Sequence, residues 1–362
     1  MFGLFRTMLA IWVMVFHLVD IPVIGNYAVF SFFLLSGFLM TTIMHDSYGY
    51  SHSGMKKYAI NRFLRLYPMY WAVAFLSIVA IYFTSETYSL SFHEALSIPD
   101  NAEYISYNFT MVFASWFPWD LKPRLSPPTW ALTLELFFYV CIGLGISKTK
   151  KRTLIWFGTS ILFFIMSYLF DMYGGNRYSS ISGASLPFSI GALAYFYKKE
   201  IFTSIEKFHI AKPSTILVVY VVNAIIFCVL SLNQPFAFSK YVLEIGKYFN
   251  LLFSLLVVVV LLYKGKNLMS KRVDKMIGDF SYPIYLCHWQ CGLVVSFLLF
   301  DKPTKGLTLD GFIVLLLSFV FVFMVSLLLI YFVDHRLTKL RMNIKFGKGS
   351  EIASQEIKKN SI

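Results

Sequence analysis

The chain has 362 residues, of which 57% are hydrophobic and only 14% are charged, and its mean hydropathy is +0.65. This composition excludes an ordinary soluble domain and is typical of a polytopic membrane protein. The net charge of +13 does not require a nucleic-acid partner, because lysines and arginines collect in the cytosolic loops of membrane proteins, where anionic lipid headgroups are their natural partners. The predicted fold class is all-α, a bundle of transmembrane helices.

Apolar stretches long enough to cross a hydrocarbon layer of about 30 Å recur along nearly the whole chain. We predict ten spans, near residues 7–20, 22–44, 66–84, 129–147, 153–170, 185–197, 213–231, 244–263, 280–300 and 311–333. The apolar stretch 104–119 is predicted to be re-entrant or interfacial, since a complete crossing there would put the basic loop 148–152 on the outer face. In this topology both termini are cytosolic.

No repeat, soluble domain or long linker interrupts the chain, so residues 1–335 are predicted to form one membrane domain. Residues 336–362 are predicted to be a basic cytosolic tail, mobile from Lys345 onwards because charges there alternate with small polar residues. The four cysteines lie inside apolar runs without further ligands that we can identify. We interpret them as packing residues, so no metal site is predicted; they are Cys141, Cys228, Cys287 and Cys291.

The first span carries two polar residues at a helical spacing. His17 follows Arg6 by eleven residues, about three turns, so both lie on one face with the imidazole roughly 16 Å deeper. An ionisable group at that depth costs about 2.5–3.5 kcal/mol on insertion scales and usually faces a cavity. The alternative is that His17 merely satisfies a backbone carbonyl or another polar side chain. In the second span, the run from Phe32 to Phe38 contains Ser36 and Gly37, whose small size suggests close helix packing.

Arg62 and Arg65 lie where a basic loop enters the third span. Residues three apart share one helix face, so two planar guanidinium groups point the same way at the membrane edge. This arrangement suits a phosphate group on the cytosolic side. The alternative is ordinary flanking charge of the positive-inside kind.

Two later spans contain further ionisable residues. Glu135 lies between Trp130 and Tyr139 in the fourth predicted span, where a carboxyl must be protonated, paired or exposed to water. His288 ends the segment that begins at Ser281, in the inner half of its span. A structural role for this histidine stays open.

Taken in order, these segments resemble the acyltransferase-3 family of integral membrane proteins, which transfer acyl groups to carbohydrates, some lipids and other small acceptors. The resemblance covers residues 3–335 and rests on Arg6 through His17, Phe-Phe-Leu-Leu-Ser-Gly-Phe, Arg62-x-x-Arg65-x-x-Pro68, Trp130 with Glu135 and Tyr139, and Ser281-Tyr-x-x-Tyr-x-x-His288. Phe5 stands where a leucine is expected. No extracytoplasmic hydrolase-like domain follows the last span, which implies that the membrane domain performs the transfer alone.

The resemblance implies acetyl-CoA as the commonest donor, with Arg62 and Arg65 binding its phosphates. Arg6 would support the donor phosphate or a buried acid. His17 would act as a general base on a sugar hydroxyl or accept the acyl group briefly. Glu135 would orient or charge-stabilise His17, or position the acceptor hydroxyl.

The remaining candidates are assigned to substrate binding. Trp130 and Tyr139 offer aromatic and hydrogen-bonding surfaces suited to a glycan, although anchoring in the aromatic belt explains Trp130 equally well. The residues assigned to lining or supporting the cavity are Ser36, Tyr282, Tyr285 and His288.

The predicted function is a membrane O-acyltransferase that moves an acetyl or other short acyl group from cytosolic acyl-CoA to a hydroxyl of a cell-surface polysaccharide or its lipid-linked precursor. The predicted location is a bacterial cytoplasmic membrane. One alternative is a flippase for lipid-linked glycans or another transporter, which inverted repeats or paired broken helices would favour. A second alternative is a membrane scaffold, which would need neither the arginine pair nor the intramembrane histidine and glutamate.

Overall fold

The computed structural model describes residues 2–207, 211–233 and 236–346. Within these ranges the chain is helical without strands, which confirms the predicted all-α class. The helices are α1 (Gly3–Val19), α2 (Ile24–Ile43), α3 (His52–Thr84), α4 (Glu86–Phe92), α5 (Ala102–Thr110), α6 (Thr129–Gly143), α7 (Lys150–Leu169), α8 (Ile181–Lys207), α9 (Pro213–Asn233), α10 (Phe236–Lys264), α11 (Lys271–Asp279), α12 (Ser281–Leu299), α13 (Leu309–Leu329) and α14 (His335–Phe346).

A helix lies at each of the ten predicted spans. Seven helical segments of the described chain are long and apolar enough to cross a membrane, and α1 and α6 are shorter apolar helices. The count of ten crossings and the cytosolic position of both termini stay predictions. In the stretch 104–119, α5 ends at Thr110, and its nine residues extend only about 13.5 Å, too short for a crossing.

The helices differ in how much of their surface they bury. α2 and α12 lie at the centre and are buried on most faces, whereas α7, α9 and α13 are largely exposed and apolar. An apolar exposed surface is what a helix facing lipid requires. The start of α1 is fixed by Asp274 of α11, whose carboxylate oxygens accept from the backbone N–H groups of Gly3 and Leu4 at 3.0 and 3.2 Å.

The loop between α5 and α6 is organised by a buried arginine. Arg124 is 1% exposed and donates hydrogen bonds to four backbone carbonyls, those of Pro118, Trp119, Leu121 and Pro127. Asn108 of α5 also donates to Pro123 O at 2.9 Å and accepts from Leu125 N at 2.8 Å. These bonds hold the segment that enters α6 against the bundle.

Two glycines allow α2 and α8 to pack closely. A Cβ on Gly37 would lie 2.1 Å from the carbonyl oxygen of Phe188, and one on Gly191 would lie 1.9 Å from that of Leu34. Real Cβ atoms do not approach so closely, so the small side chain is a condition of this contact. The close packing predicted at Gly37 is confirmed.

We expect Gly191→Ala to destabilise the protein by about 1–3 kcal/mol, because the added methyl group must push α2 and α8 apart. The midpoint of thermal unfolding in detergent measures this effect. Gly158→Ala on α7 is the matched control, since its methyl group would meet no atom within 4 Å. Equal midpoints for the two variants would show that the helices are not in close contact.

The first part of the predicted tail forms α14, which packs against α3. Asn61 of α3 donates to the carbonyl oxygen of Arg341 at 2.9 Å, and Asp334 accepts from both Arg65 and Arg341. The rest of the predicted tail, residues 347–362, lies outside the described residues, and so does most of the segment predicted to be mobile.

Candidate functional site

Two adjoining cavities lie inside the bundle, and Val29 and Tyr285 line both of them. We call the first the arginine cavity; its polar lining residues are Arg6, Ser36, Arg62, Arg65, Glu135, Tyr139, Ser281, Tyr282 and Tyr285. We call the second the histidine cavity; its polar and aromatic lining residues include His17, Asn26, Trp119, Trp130, Tyr173, Tyr178, Glu244 and Lys247. The histidine cavity has a volume of about 640 Å³, which lies within the range of small-molecule sites.

Five helices bring the arginine cavity together. α1 supplies Arg6, α2 supplies Ser36, α3 supplies Arg62 and Arg65, α6 supplies Glu135 and Tyr139, and α12 supplies Tyr282 and Tyr285. The pairs from α3, α6 and α12 are three or four residues apart, so one face of each helix points into the cavity.

Glu135 is held by hydroxyl groups within the arginine cavity. Its Oε1 accepts from Ser36 Oγ and from Tyr139 Oη, the latter at 2.5 Å. The positive charges of Arg6 and Arg62 also act on this carboxyl. Glu135 is therefore an acid fixed by two hydroxyl groups in a cavity that also contains two arginines without an ion-pair partner among the described residues.

The three arginines of this cavity differ in their partners. Arg65 forms an ion pair with Asp334 at 3.0 Å, and Asp334 also pairs with Arg341. Arg62 donates to Asn61 Oδ1 at 3.4 Å and to Met40 Sδ at 3.8 Å and lies within reach of the Tyr48 hydroxyl, and its buried Nε has no hydrogen-bond partner among the described residues. Within the described chain the side chain of Arg6 makes no hydrogen bond or ion pair. The guanidinium groups of Arg6 and Arg62 thus keep donors that a bound anion could use.

His17 in the histidine cavity stacks on a second histidine. The ring centroids of His17 and His288 are 5.4 Å apart at an interplanar angle of 11°, and Trp289 lies 4.9 Å from His17. His288 is fully buried, and its Nδ1 lies 3.1 Å from the carbonyl oxygen of Ile284. Because a carbonyl only accepts, the neutral ring carries its proton on Nδ1, and Nε2, which has no partner among the described residues, is an acceptor.

His93, in the loop after α4 and outside the spans, extends this aromatic cluster. Its ring centroid lies 4.1 Å from that of Trp289, and its Nδ1 accepts a hydrogen bond from the backbone N–H of Ala95 at 3.0 Å. Burial lowers the pKa of His93 from its ordinary value to about 3, and the charges of Arg124 and Lys305 act in the same direction. His93 is therefore neutral at physiological pH.

The structure separates residues that the sequence placed in one site. Glu135 lines the arginine cavity and His17 the histidine cavity, and no hydrogen bond or ion pair joins them among the described residues. Tyr139 likewise lies with Glu135, whereas Trp130 lies in the cavity of His17. Trp130 is 3% exposed, so it faces the interior and not the lipid.

Tyr282 and Tyr285 are buried and fixed by their hydroxyl groups. Tyr282 donates to the carbonyl oxygen of Leu66, and Tyr285 donates to that of Pro128, both at 3.1 Å. Tyr285 also lies 6.5 Å from His288, measured between ring centroids. It is the aromatic residue at which the two cavities meet.

The sequence reasoning missed a charged group at the histidine cavity, formed by Arg177, Glu244 and Lys247. Glu244 and Lys247 are three residues apart at the start of a predicted apolar span. An ionisable residue within a span is itself a signal of a cavity. That criterion selected His17 and Glu135 and would also have selected Lys247.

The cysteines are free, and among the described residues no cluster of three or more His, Cys, Asp or Glu side chains could hold a metal ion.

A comparison with protein families finds one match that covers nearly the whole chain. The family model Acyl_transf_3, described as an acyltransferase domain, matches residues 2–333. Neither the search of curated proteins nor the search of solved structures finds a match.

Proposed function

The chain belongs to the acyltransferase-3 family, and we propose on that premise that it moves an acetyl or other short acyl group from cytosolic acyl-CoA to a hydroxyl of a cell-surface polysaccharide or its lipid-linked precursor. Family membership itself makes the protein a membrane acyltransferase and favours transfer over the flippase considered above. The observation that carries the more specific proposal is the pair of adjoining cavities, one with unpaired guanidinium groups and the other with a histidine and aromatic walls.

The donor is assigned to the arginine cavity because of its charge. CoA carries phosphate groups, which form short, charge-assisted hydrogen bonds with guanidinium donors. Arg6 and Arg62 have such donors available, whereas Arg65 is already paired with Asp334. The acyl end of the donor would then lie toward Tyr285, where the two cavities meet.

The acceptor is assigned to the histidine cavity because of its aromatic wall. Trp119, Trp130 and Tyr178 line it, and aromatic faces pack well against sugar rings while their polar edges form hydrogen bonds. A sugar hydroxyl beside His17 could lose its proton to the imidazole as its oxygen attacks the thioester carbonyl. The C–S bond then breaks, and the CoA thiolate takes up a proton. A transient acyl-histidine would use the same imidazole.

Glu135 is assigned a positioning role. It does not contact His17, but its charge acts on Arg6 and Arg62 and it is anchored by Ser36 and Tyr139. It would balance the charge of the two arginines beside the bound donor. This role replaces the direct support of His17 that the sequence suggested.

We expect purified wild-type protein in liposomes to transfer label from acetyl-CoA to surface glycan, and Arg62→Lys to need about ten to a hundred times more donor for half the maximal rate. The reason is that a lysine cannot form the guanidinium contacts, and charge-assisted hydrogen bonds contribute about 1.5–3 kcal/mol. Arg65→Lys should have a smaller effect because lysine can still pair with Asp334. The initial rate measured at increasing acetyl-CoA concentrations gives the half-maximal donor concentration for wild type, Arg62→Lys and Arg65→Lys.

Arg272→Lys, on the exposed side of α11, is the matched control and should titrate like wild type. Absence of transfer by well-folded wild-type protein would contradict the proposed function. Transfer with an unchanged donor dependence in Arg62→Lys would contradict the donor site alone.

A further inference from the structure

Lys247 of α10 is a buried cation that lines the histidine cavity. It is 4% exposed and lies among cavity walls that include Trp130 and Tyr178. Burying an ammonium group is costly unless it is paired or hydrogen-bonded. The partners of Lys247 therefore decide what the cavity is built to hold.

Glu244, the acid next to Lys247, already accepts hydrogen bonds from other side chains. Glu244 Oε1 accepts from Arg177 Nε at 3.2 Å and from Arg177 Nη2 at 2.7 Å, and Glu244 Oε2 accepts from the hydroxyl of Tyr168. Arg177 is held further by the carbonyl oxygens of Ser167 and Met172. Two positive charges thus face one negative charge, and the ion pair of the described chain at this site belongs to Arg177.

Lys247 itself is poorly satisfied. Among the described residues its Nζ donates one hydrogen bond, to the carbonyl oxygen of Arg177 at a long 3.4 Å. The rings of Phe30 and Tyr248 lie 5.1 and 5.6 Å from it and offset part of the charge. An ammonium group has three donors, so two of them are left for a molecule in the cavity.

We propose that Lys247 binds an anionic group, a carboxylate or a phosphate, of the acceptor. This inference rests on the proposed function in that the acceptor occupies the histidine cavity. The aromatic wall would take the sugar faces, Lys247 the charge, and His17 the reacting hydroxyl. The substrate class is accordingly an acidic glycan or a glycan on a lipid phosphate, in preference to a neutral free sugar.

The test measures the binding of matched probes to purified full-length protein in the absence of donor. Intrinsic tryptophan fluorescence reports the binding. The sugar pair is methyl glucuronide and methyl glucoside, and the lipid pair is farnesyl phosphate and farnesol. We expect at least one anionic probe to bind ten or more times tighter than its neutral counterpart. Lys247→Met and Lys247→Gln should remove this preference, and Lys247→Arg should retain most of it.

The control is Lys264→Met on the same helix, which removes a lysine whose partner is the exposed Glu206 and should keep the preference. A preference within the sugar pair identifies an acidic sugar, and one within the lipid pair identifies a lipid phosphate. Equal binding of charged and neutral probes, no binding of any probe, or a preference that survives Lys247→Met would overturn the proposal. Since no donor is present, charge-selective binding without acetyl transfer would leave this site standing while the proposed function fails.

Discussion

His17→Ala is expected to abolish acyl transfer while the protein still inserts and folds. The substitution removes the imidazole that faces the histidine cavity, and a positioned general base contributes typically 10²- to 10⁴-fold to a rate. It also removes a polar group from the bundle, so the cost of burial falls. The measurement is mass spectrometry of surface-glycan acylation in a deletion strain complemented with wild type or variant.

His52→Ala is the matched control for this experiment, because His52 is an exposed histidine at the start of α3. It should restore acylation like wild type. Near-normal acylation by well-expressed His17→Ala protein would remove His17 from the mechanism. An unchanged acyl pattern after deletion of the gene itself would count against surface glycans as the acceptor.

Glu135→Gln is expected to lower the turnover rate by about ten- to a hundredfold, the effect of losing about 1.5–3 kcal/mol of charge-assisted interaction. The amide keeps the size of the side chain and can still accept from Ser36 and Tyr139, but it cannot balance Arg6 and Arg62. The donor concentration for half-maximal rate should not rise, since removing a negative charge does not weaken phosphate binding. Steady-state kinetics with acetyl-CoA separates these two quantities.

Ser36→Ala keeps the charge of Glu135 and removes one of its hydrogen bonds, so it should lose less turnover than Glu135→Gln. Wild-type turnover by Glu135→Gln would leave this residue with a hydrogen-bonding role only. A raised donor requirement at unchanged turnover would instead place its charge in donor binding.

The sequence predicted those features of the fold and site that depend on local geometry. Long apolar runs located the helices, because crossing a membrane sets their length. Pairs such as Arg62 with Arg65, or Glu135 with Tyr139, share a cavity because residues three or four apart share a helix face. Both kinds of inference use neighbours in the chain.

Contacts between distant segments could not be predicted in this way. The ion pair of Arg65 with Asp334 and the hydrogen bond of Ser36 to Glu135 join residues that are 269 and 99 positions apart. The stacking of His17 on His288 likewise depends on how α1 packs against α12. No spacing rule reports which face of one helix meets which face of another, so the assignment of residues to two cavities required the structure.

The two side chains shared by the cavities bear on how the donor and the acceptor reach each other across the membrane. Val29 and Tyr285 belong to both linings, so the two cavities adjoin at these side chains, and the hydroxyl of Tyr285 donates to the carbonyl oxygen of Pro128. With the proposed chemistry, CoA would enter and leave through the arginine cavity and the glycan through the histidine cavity, and only the acyl group would pass from one to the other. The membrane would stay sealed to both large molecules, and acylation would need no separate carrier for either.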